Sequence, residues 1–408
     1  MQLLSVRQKL VSRPLQDVTG EVRRQLDALG LAVPQGPVAI PVGSRGISCI
    51  AEIIRASGDW LRERGAQPFL VPAMGSHNGA TAAGQRQMIE SLGMTEEAMG
   101  MPIRASMDCV QVGTVSSGEV WMDRFCYESA GVLVINRVKL HTCFAGPVQS
   151  GLTKMMVVGM GKIRSAETFH SCGTPQMKDM LLEMGQLIVN SGKILAGLAI
   201  LEDGYDQTAE LHGLQANEIL AREPDILQRH QHYFPRLPVD DLNVLIVDKI
   251  GKTYSGTGMD TNVIGFRGLK GWEDLVHPRI QIIAALSLTK VSSGNAIGIG
   301  LADFITQQLR DGIDEHKTFI NAFTTGDMQR AKIPATLADD EELCEKLTGR
   351  YGSSRWMVIS NTLHLEHLFV STDMQTEITA HPLCQLDPEP LELTFKNGRH
   401  QLVFDTAE

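Results

Sequence analysis

The sequence lacks the features that define several large classes of protein. No run of about eighteen consecutive apolar residues is present, so a transmembrane helix is not predicted. The first fifteen residues contain no continuous apolar core followed by a small-residue cleavage site, so we interpret them as mature protein and not as a signal peptide. The formal net charge of −10 argues against nucleic acid as a partner, because phosphate recognition requires clustered Lys and Arg.

Cysteine pairs and the common catalytic motifs are also missing. The 408-residue chain has seven scattered cysteines and no C-x-x-C pair, which argues against a disulfide framework and a structural zinc site and favours the cytoplasm. There is no G-x-x-x-x-G-K-[ST] phosphate loop, no H-E-x-x-H zinc motif and no G-x-S-x-G nucleophile elbow. The sequence therefore does not indicate an ordinary nucleoside-triphosphate, metalloprotease or α/β-hydrolase site.

Short apolar runs that alternate with helical segments predict the fold class. The runs are continuously apolar, as expected of strands that are covered on both faces. Repeats of strand, helix and strand predict an α/β fold with mainly parallel sheets and right-handed crossovers. The predicted strands are 37–43, 67–75, 131–138, 194–201, 243–251, 280–287 and 355–361.

The segment 204–240 is polar, favours helix and ends in two prolines, so we interpret it as a connector between domains. We predict an N-terminal α/β domain at 1–240 that carries cofactor-anchoring and catalytic residues, and a C-terminal α/β domain at 241–408 that completes the substrate site. The second domain is expected to end in a hairpin with Asn397-Gly398 as its turn. Two α/β lobes with an interlobe cleft are expected, since such clefts hold small ligands.

Polar and glycine-rich turns follow the predicted strands, where α/β sheets collect their ligands. The first turn contains Ser44 and Arg45, and the second is Gly75-Ser76-His77. A histidine beside small residues in such a turn has no packing role, which favours a functional role for His77. Backbone N–H groups in these turns can also hold anions.

Three residues that follow the third strand are weaker candidates when each is taken alone. His141 is either a catalytic residue or a core histidine with satisfied hydrogen bonds. Lys154 precedes the apolar run 155–158, so it is either a partly buried nucleophile or a lysine whose amine extends to solvent. His170 alone indicates little.

Taken together and in order, these residues resemble the nickel-dependent lactate racemase family. The family pattern has an Arg in a strand-end turn, a Gly-[Ser/Thr]-His turn, a His before Phe-Ala-Gly, then a Lys, and a final His. The spacing of sixteen residues between the Lys and the final His is also present here. The resemblance covers at least residues 40–170, and the matching positions are Arg45, Gly75-Ser76-His77, His141 with Phe144-Ala145-Gly146, Lys154 and His170.

The resemblance implies a cofactor and the residues that hold it. The family uses a nickel-pincer nucleotide, a pyridinium mononucleotide whose two sulfur-containing arms bind nickel, one arm being a thioamide formed with a lysine. By resemblance Lys154 is that lysine and His170 is the nickel ligand, in a square-planar set of nitrogen and sulfur donors that suits Ni(II). The remaining cofactor-binding residues are expected to be Ser44, Arg45, Gly75 and Ser76.

The resemblance also implies an activity, the racemisation or epimerisation of a small 2-hydroxy acid by hydride abstraction and return. His77 and His141 are the expected catalytic pair, because a neutral imidazole can take the hydroxyl proton near neutral pH. A bidentate arginine–carboxylate pair would hold the acid. The expected substrate-binding residues are Arg45, Asp260, Asn262 and Arg267.

Two departures from the family pattern favour a substrate other than lactate. Val42 stands where the family usually has an Asp, and three extra residues separate His141 from Lys154. Three alternatives stay open: a related enzyme for a sugar acid or dicarboxylic acid, a hydrolase or lyase with a histidine-bound metal, and a non-catalytic homologue that binds a small acid. A homo-oligomer is compatible with the sequence, which indicates neither nucleic acid nor a membrane as a partner.

Overall fold

The computed structural model describes residues 1–44, 46–171, 176–269, 273–326 and 328–405, leaving out the side chains at 170, 171, 324 and 325. The chain divides into two compact units. One unit is Val11–Phe234, and the other combines Met1–Leu10 with Pro235–Glu408. None of the described helices has the length and apolar content that crossing a membrane requires.

The strands, in chain order, are β1 (Gln2–Gln8), β2 (Gly36–Val42), β3 (Ala66–Pro72), β4 (Cys109–Val115), β5 (Gly118–Asp123), β6 (Gly131–Arg137), β7 (Ile194–Glu202), β8 (Thr208–Gln215), β9 (Asp241–Ile250), β10 (Arg279–Leu288), β11 (Phe304–Thr306), β12 (Ala335–Leu337), β13 (Trp356–Ile359), β14 (His367–Ser371), β15 (Cys384–Leu386), β16 (Leu391–Glu392), β17 (Phe395–Lys396) and β18 (Arg399–His400).

The α-helices are α1 (Val18–Ala28), α2 (Ile50–Glu63), α3 (Ala82–Ser91), α4 (Glu96–Met99), α5 (Arg124–Glu128), α6 (Leu152–Lys154), α7 (Lys162–Ser171), α8 (Met177–Asn190), α9 (Ile219–Tyr233), α10 (Thr261–Ile264), α11 (Gln307–Asp311), α12 (Glu315–Thr325), α13 (Asp340–Tyr351) and α14 (Gln375–Ala380). A π-helix, Met155–Gly159, follows α6 directly. Short 3₁₀ turns lie at Asn78–Ala80, Ala216–Glu218, Lys290–Ser292, Ile299–Leu301, Met328–Ala331 and Thr372–Met374.

The sheet of the unit Val11–Phe234 has the strand order β3-β2-β6-β7-β8. Pairing is parallel from β3 to β7, and β8 runs antiparallel to β7. Helix α2 crosses from β2 to β3 and buries Ile53, Trp60 and Leu61 in the core beneath the sheet. Because β3, β2 and β6 are parallel neighbours, their carboxyl ends meet at one edge, and the turns that carry His77, Ser44 and His141 begin there.

The other unit contains a sheet with the order β12-β11-β10-β9-β13-β14-β1-β15, and β16 also pairs with β1. Strands β12 to β13 are parallel, whereas the pairs that involve β14, β1, β15 and β16 are antiparallel. The predicted α/β class with mainly parallel sheets is therefore confirmed.

The predicted apolar strands appear as β2, β3, β6, β7, β9, β10 and β13, with ends that differ by a few residues. The predicted C-terminal hairpin is confirmed too. Phe395 pairs with His400, and the turn residues Asn397 and Gly398 have φ values of 52° and 73°. Asn-Gly is favoured in this two-residue turn because both positions need a positive φ.

The prediction of a connector at 204–240 is wrong. The segment forms the antiparallel edge strand β8 and the helix α9, which buries Ile219, Ile226 and Leu227. The expected preference for helix agrees with α9, but the polar composition concealed that one face of this helix is apolar and packs in the core.

The predicted boundaries of the first domain, 1–240, also differ from the compact units. Strand β1 belongs with the C-terminal part of the chain, where it pairs with β14 and β15, and Leu3, Leu4 and Val6 are fully buried. The local sequence pattern of β1 gives no information about a partner strand more than three hundred residues away, so its position depended on tertiary pairing.

The buried N-terminal strand should stabilise the unit formed with Pro235–Glu408. Leu3 packs in a core with Trp356 and Phe369, so Leu3→Ala should lower the free energy of unfolding by about 2–5 kcal/mol. The exposed neighbour Gln2 is the control, and Gln2→Ala should change it by less than about 0.5 kcal/mol. Hydrogen exchange of the β14 amides during urea titration measures both values, and equal losses in the two variants would contradict the assignment.

Candidate active site

The turn after β2 contacts the turn after β3 through a hydrogen bond between Ser44 Oγ and His77 Nδ1. A hydroxyl can donate to a ring nitrogen or accept from its N–H. Ser44 therefore supports His77 in either neutral tautomer and in the protonated form. The imidazole itself is exposed.

The backbone of the His77 turn is held from inside the protein by Gln85. This fully buried residue of α3 donates from Nε2 to the carbonyl oxygens of Gly75, at 2.9 Å, and His77, at 3.3 Å. The turn contains Asn78 and Ala80 with φ values of 51° and 50°, a conformation that is unfavourable for alanine. Gln85 was missed from the sequence, since a glutamine among the polar residues of a helix has no pattern that indicates burial.

The turn after β6 brings His141 and Lys154 together. Lys154 Nζ lies 2.6 Å from His141 Nε2, and both residues are half-buried. The loop between them is closed at its base, because Lys139 and Ser150 exchange two backbone hydrogen bonds of 2.8 and 3.2 Å. Gln149 Oε1 accepts from the backbone N–H of His141 at 2.7 Å, which fixes the start of the loop.

The second ring nitrogen of His141 determines where its proton lies. The backbone N–H of Cys143 donates to His141 Nδ1 at 3.0 Å, so Nδ1 carries the lone pair. Nε2 then carries the hydrogen, and it can be donated to Lys154 only if the amine has a lone pair of its own. In this arrangement the contact is a hydrogen bond when the lysine amine is neutral, the form in which a lysine is nucleophilic.

Aromatic contacts connect His141 with helix α7. The ring of His141 lies 4.5 Å from that of Phe144, whose ring lies 6.0 Å from that of Phe169. The backbone at 170 follows directly, but the His170 side chain and the whole of Arg45 lie outside the described residues. Among the described residues, no three His, Cys, Asp or Glu side chains come close enough together to bind a metal ion.

The π-helix after Lys154 packs against the chain segment that leads to His77. The Met160 N–H donates to the Met155 carbonyl at 2.9 Å, the i to i−5 bond of a π-helix, a feature often found at functional sites. A Cβ on Gly159 would lie 2.8 Å from the Ala73 carbonyl oxygen, so only glycine permits this approach.

Glu202 at the end of β7 ties the Ser44 turn to the neighbouring strands. One carboxylate oxygen accepts from the Ser48 N–H at 2.6 Å, and the other pairs with the guanidinium of Arg137 at the end of β6. Glu202 is 4% exposed, so this pair holds the turn against the sheet in a largely dry environment.

A fully buried ion pair lies beside the same edge. Lys162 Nζ is 3.1 Å from Asp123 Oδ2, and it also donates to the Pro72 carbonyl oxygen at the end of β3. Burial raises the pKa of the Asp123 carboxyl, whereas the lysine charge opposes that shift. Lys162 thereby connects the start of α7 with the strand that leads to His77, a role that the sequence did not indicate.

Glu223 of α9 is a second buried acid near the site. Its Oε2 accepts from the backbone N–H of Thr153 at 2.9 Å and from the Thr153 hydroxyl at 2.6 Å. Burial raises the pKa of the carboxyl to about 7, against the opposing effect of these hydrogen bonds. Glu223 lies in the segment that we had interpreted as a connector, so sequence analysis did not consider it.

Three of the predicted substrate-binding residues, Asp260, Asn262 and Arg267, belong to the other unit, and the hydrogen bonds described here join them to residues of that unit. Asp260 caps α10, with Oδ1 accepting from the backbone N–H of Asn262 at 2.9 Å and from its side-chain amide at 3.0 Å. Arg267 is 7% exposed, and its carbonyl oxygen accepts hydrogen bonds from the buried Arg330. Asp260 and Asn262 are thus brought together, and the role of all three in substrate binding stays a prediction.

Solved structures of other proteins share this architecture. The lactate racemase apoprotein from Thermoanaerobacterium thermosaccharolyticum is similar with a TM-score of 0.54 and 13% identity, covering 88% of this chain and 94% of that one. The chain has a lactate-racemase-like fold. A protein from Thermotoga maritima matches this fold as well, with a TM-score of 0.51 and 12% identity, covering 82% of this chain and 91% of that one. No protein-family model matches the chain, and no curated protein matches its sequence.

The lactate-racemase-like fold confirms the fold that the ordered set of residues predicted. At 13% identity the likeness concerns the fold alone, so the chemistry has to be argued from the side chains of this chain.

Glu223 should give the protein a pH-dependent stability. The pKa of its carboxyl is raised from 4.5 to about 7 on folding, so in this interval the folded chain keeps a proton that the unfolded chain has lost. Its contribution is complete below pH 4.5 and is lost as the pH rises through 7, by about 3 kcal/mol, since one pKa unit is about 1.4 kcal/mol. Glu223→Gln cannot titrate, so its free energy of unfolding should fall less steeply over this range.

Urea denaturation at several pH values measures this difference. The control is Glu97→Gln, which makes the same charge change at an exposed position and should keep the slope of the parent protein. If Glu223→Gln also keeps that slope, the carboxyl does not retain its proton in the folded state.

Proposed function

We propose that this protein is an isomerase that racemises or epimerises a small 2-hydroxy acid, with a nickel-pincer nucleotide attached through Lys154. The observation that carries the proposal is the 2.6 Å contact between Lys154 Nζ and His141 Nε2, together with the Cys143 N–H that occupies His141 Nδ1. An amine must offer its lone pair to form an amide or thioamide. The lactate-racemase-like fold supports the same assignment.

The residues present fit such a group in charge and in space. Lys154 Nζ lies beside a ring nitrogen of His141, and a neutral amine at this position can form the bond that attachment requires. A Cβ built on Gly46 or on Gly79 would have no atom within 4 Å, so the turns that carry Ser44 and His77 border open space. By resemblance His170 is the nickel ligand, and Ser44, Arg45, Gly75 and Ser76 line the nucleotide.

When bound, the nucleotide supplies an acceptor that takes a hydride from the acid and returns it. The chain supplies the proton chemistry. His77 exchanges the hydroxyl proton of the acid, since Ser44 supports the ring with or without a proton on Nδ1. His141 is the second residue of the pair, because acylation of the Lys154 nitrogen would remove the acceptor of its Nε2 hydrogen and leave that hydrogen available to an oxygen of the ligand.

The acid itself needs a cationic partner for its carboxylate. We propose Arg45 and Arg267 for this role, with Asp260 and Asn262 as polar contacts to the remainder of the substrate. The charges of the acid's carboxylate and of the arginine then balance each other.

Attachment is tested by producing the chain together with the enzymes that make the nickel-pincer nucleotide. We expect one covalent adduct on Lys154 and one bound nickel per chain, by intact-mass, peptide and metal analysis. Lys154→Arg should carry no adduct, whereas Lys139→Arg, a change of another lysine in the same loop region, should carry it.

Turnover is tested with a panel of 2-hydroxy acids and chiral separation of the products. Racemisation or epimerisation of one of them by the loaded protein is the expected result. Zinc without sulfur would instead indicate the metal-dependent hydrolase or lyase, and tight binding of an acid without conversion would indicate a binding homologue.

Variants of the two histidines should differ in their effects on cofactor attachment and on turnover. His77→Gln should keep the Lys154 adduct and the nickel but lower kcat by about 10²–10⁴, the usual contribution of an acid–base group. His141→Gln should reduce both adduct formation and kcat, because its ring contacts the amine directly. Equal adduct levels and equal kcat in both variants and the parent protein would reject the assigned roles.

A further inference from the structure

We propose that Glu223 is a positioning residue for the Lys154 amine and acts through Thr153. The proposal rests on the proposed function in one respect, namely that Lys154 is the reactive lysine. Glu223 is in α9, about seventy residues further along the chain, and it touches neither His141 nor Lys154 in any described hydrogen bond. Its effect on the amine is therefore indirect.

Glu223 completes the start of helix α6. Gly151 occupies the N-cap position of α6 and has no side chain with which to accept a hydrogen bond from the first turn. The Glu223 carboxyl takes this function from a distant helix, since its Oε2 accepts both the N–H and the hydroxyl of Thr153. Lys154 is the next residue, so the direction of its side chain depends on this turn.

Neighbouring elements pack closely around the same turn. A Cβ on Gly185 would lie 2.8 Å from Thr153 Cγ2, and one on Gly197 would lie 2.6 Å from Leu152 Cδ1. A Cβ on Gly151 would overlap Glu223 Oε1. Glycine at these positions lets the neighbouring elements enclose the turn, and the Asn136 side-chain amide also donates to the Gly151 carbonyl at 2.8 Å.

Burial of the Glu223 carboxyl lowers the stability of the fold. Glu223 is fully buried, and its Oε1 has no hydrogen-bond partner among the described residues. A buried polar atom without a partner is destabilising, and an apolar side chain of similar size would avoid that cost. Local violations of this kind are expected where a residue serves function more than stability.

Together these contacts specify where the amine lies. Displacing a reacting group by about 1 Å can lower a rate by about 10². Without the Glu223 bonds, the first turn of α6 loses the acceptor for its Thr153 N–H, and the amine leaves His141 Nε2. Lys154 should then behave as an ordinary solvated lysine.

The experiment is competitive labelling of the unloaded full-length chain with limiting acetic anhydride between pH 6 and 10, read by peptide mass spectrometry. Lys346, which has an exposed side chain, is the internal reference. We expect Lys154 to react at lower pH than Lys346 in the parent protein. Glu223→Leu should move the Lys154 profile onto that of Lys346, a loss of about tenfold in labelling at neutral pH for each pH unit of the shift.

Matched variants distinguish positioning from packing and from charge. Glu223→Gln should keep the parent profile, because a carboxamide oxygen can accept both Thr153 bonds. Thr153→Val should shift the profile in the same direction as Glu223→Leu, and Thr153→Ser, which keeps the hydroxyl, should restore it. If circular dichroism shows that Glu223→Leu does not fold, the comparison of Thr153→Val with Thr153→Ser still tests whether the Thr153 hydrogen bond positions the Lys154 amine.

An unchanged Lys154 profile in both Glu223→Leu and Thr153→Val would overturn the proposal. So would an equal shift in Glu223→Gln and Glu223→Leu, since the carboxyl charge and not the hydrogen bonds would then control the amine. The labelling uses no nucleotide. If no adduct formed on Lys154 in the loaded protein while the labelling results were as expected, the proposed function would fail and the positioning role of Glu223 would stand.

Discussion

The Cys143 amide donates to His141 Nδ1, so the hydrogen of the neutral ring lies on Nε2, 2.6 Å from the amine of Lys154. A lysine amine accepts this hydrogen only in its neutral form, which is also its nucleophilic form. The covalent attachment that we propose depends on this contact, and so does the orientation of His141.

The fold provides this contact by placing polar turns at strand ends and holding them with buried side chains. Gln85 holds the His77 turn, Glu202 holds the turn before it, and Glu223 holds the helix start beside Lys154. These supporting side chains are less than 5% exposed. A site built in this way has rigid geometry because its second layer is packed, and it loses some stability because that layer is polar.

The departures from the family pattern also have a structural explanation. Val42, which stands where an acid was expected, is 2% exposed in the core, and Ser44 supplies the polar contact to His77. A hydroxyl stabilises a protonated imidazole less than a carboxylate does. The lengthened segment between His141 and Lys154 is accommodated as a closed loop, joined at Lys139 and Ser150.

Much of the architecture followed from the sequence, because continuous apolar runs, strand-to-helix turns and Asn-Gly are local signals with direct physical causes. The order of His77, His141 and Lys154 along the chain was also enough to predict the fold that the solved structures support. Tertiary structure decided the partner of β1, the burial of Gln85 and Glu223, and the tautomer of His141. Each of these depends on groups that are far apart in sequence or on the direction of a single amide, and neither leaves a periodic pattern in the order of the residues.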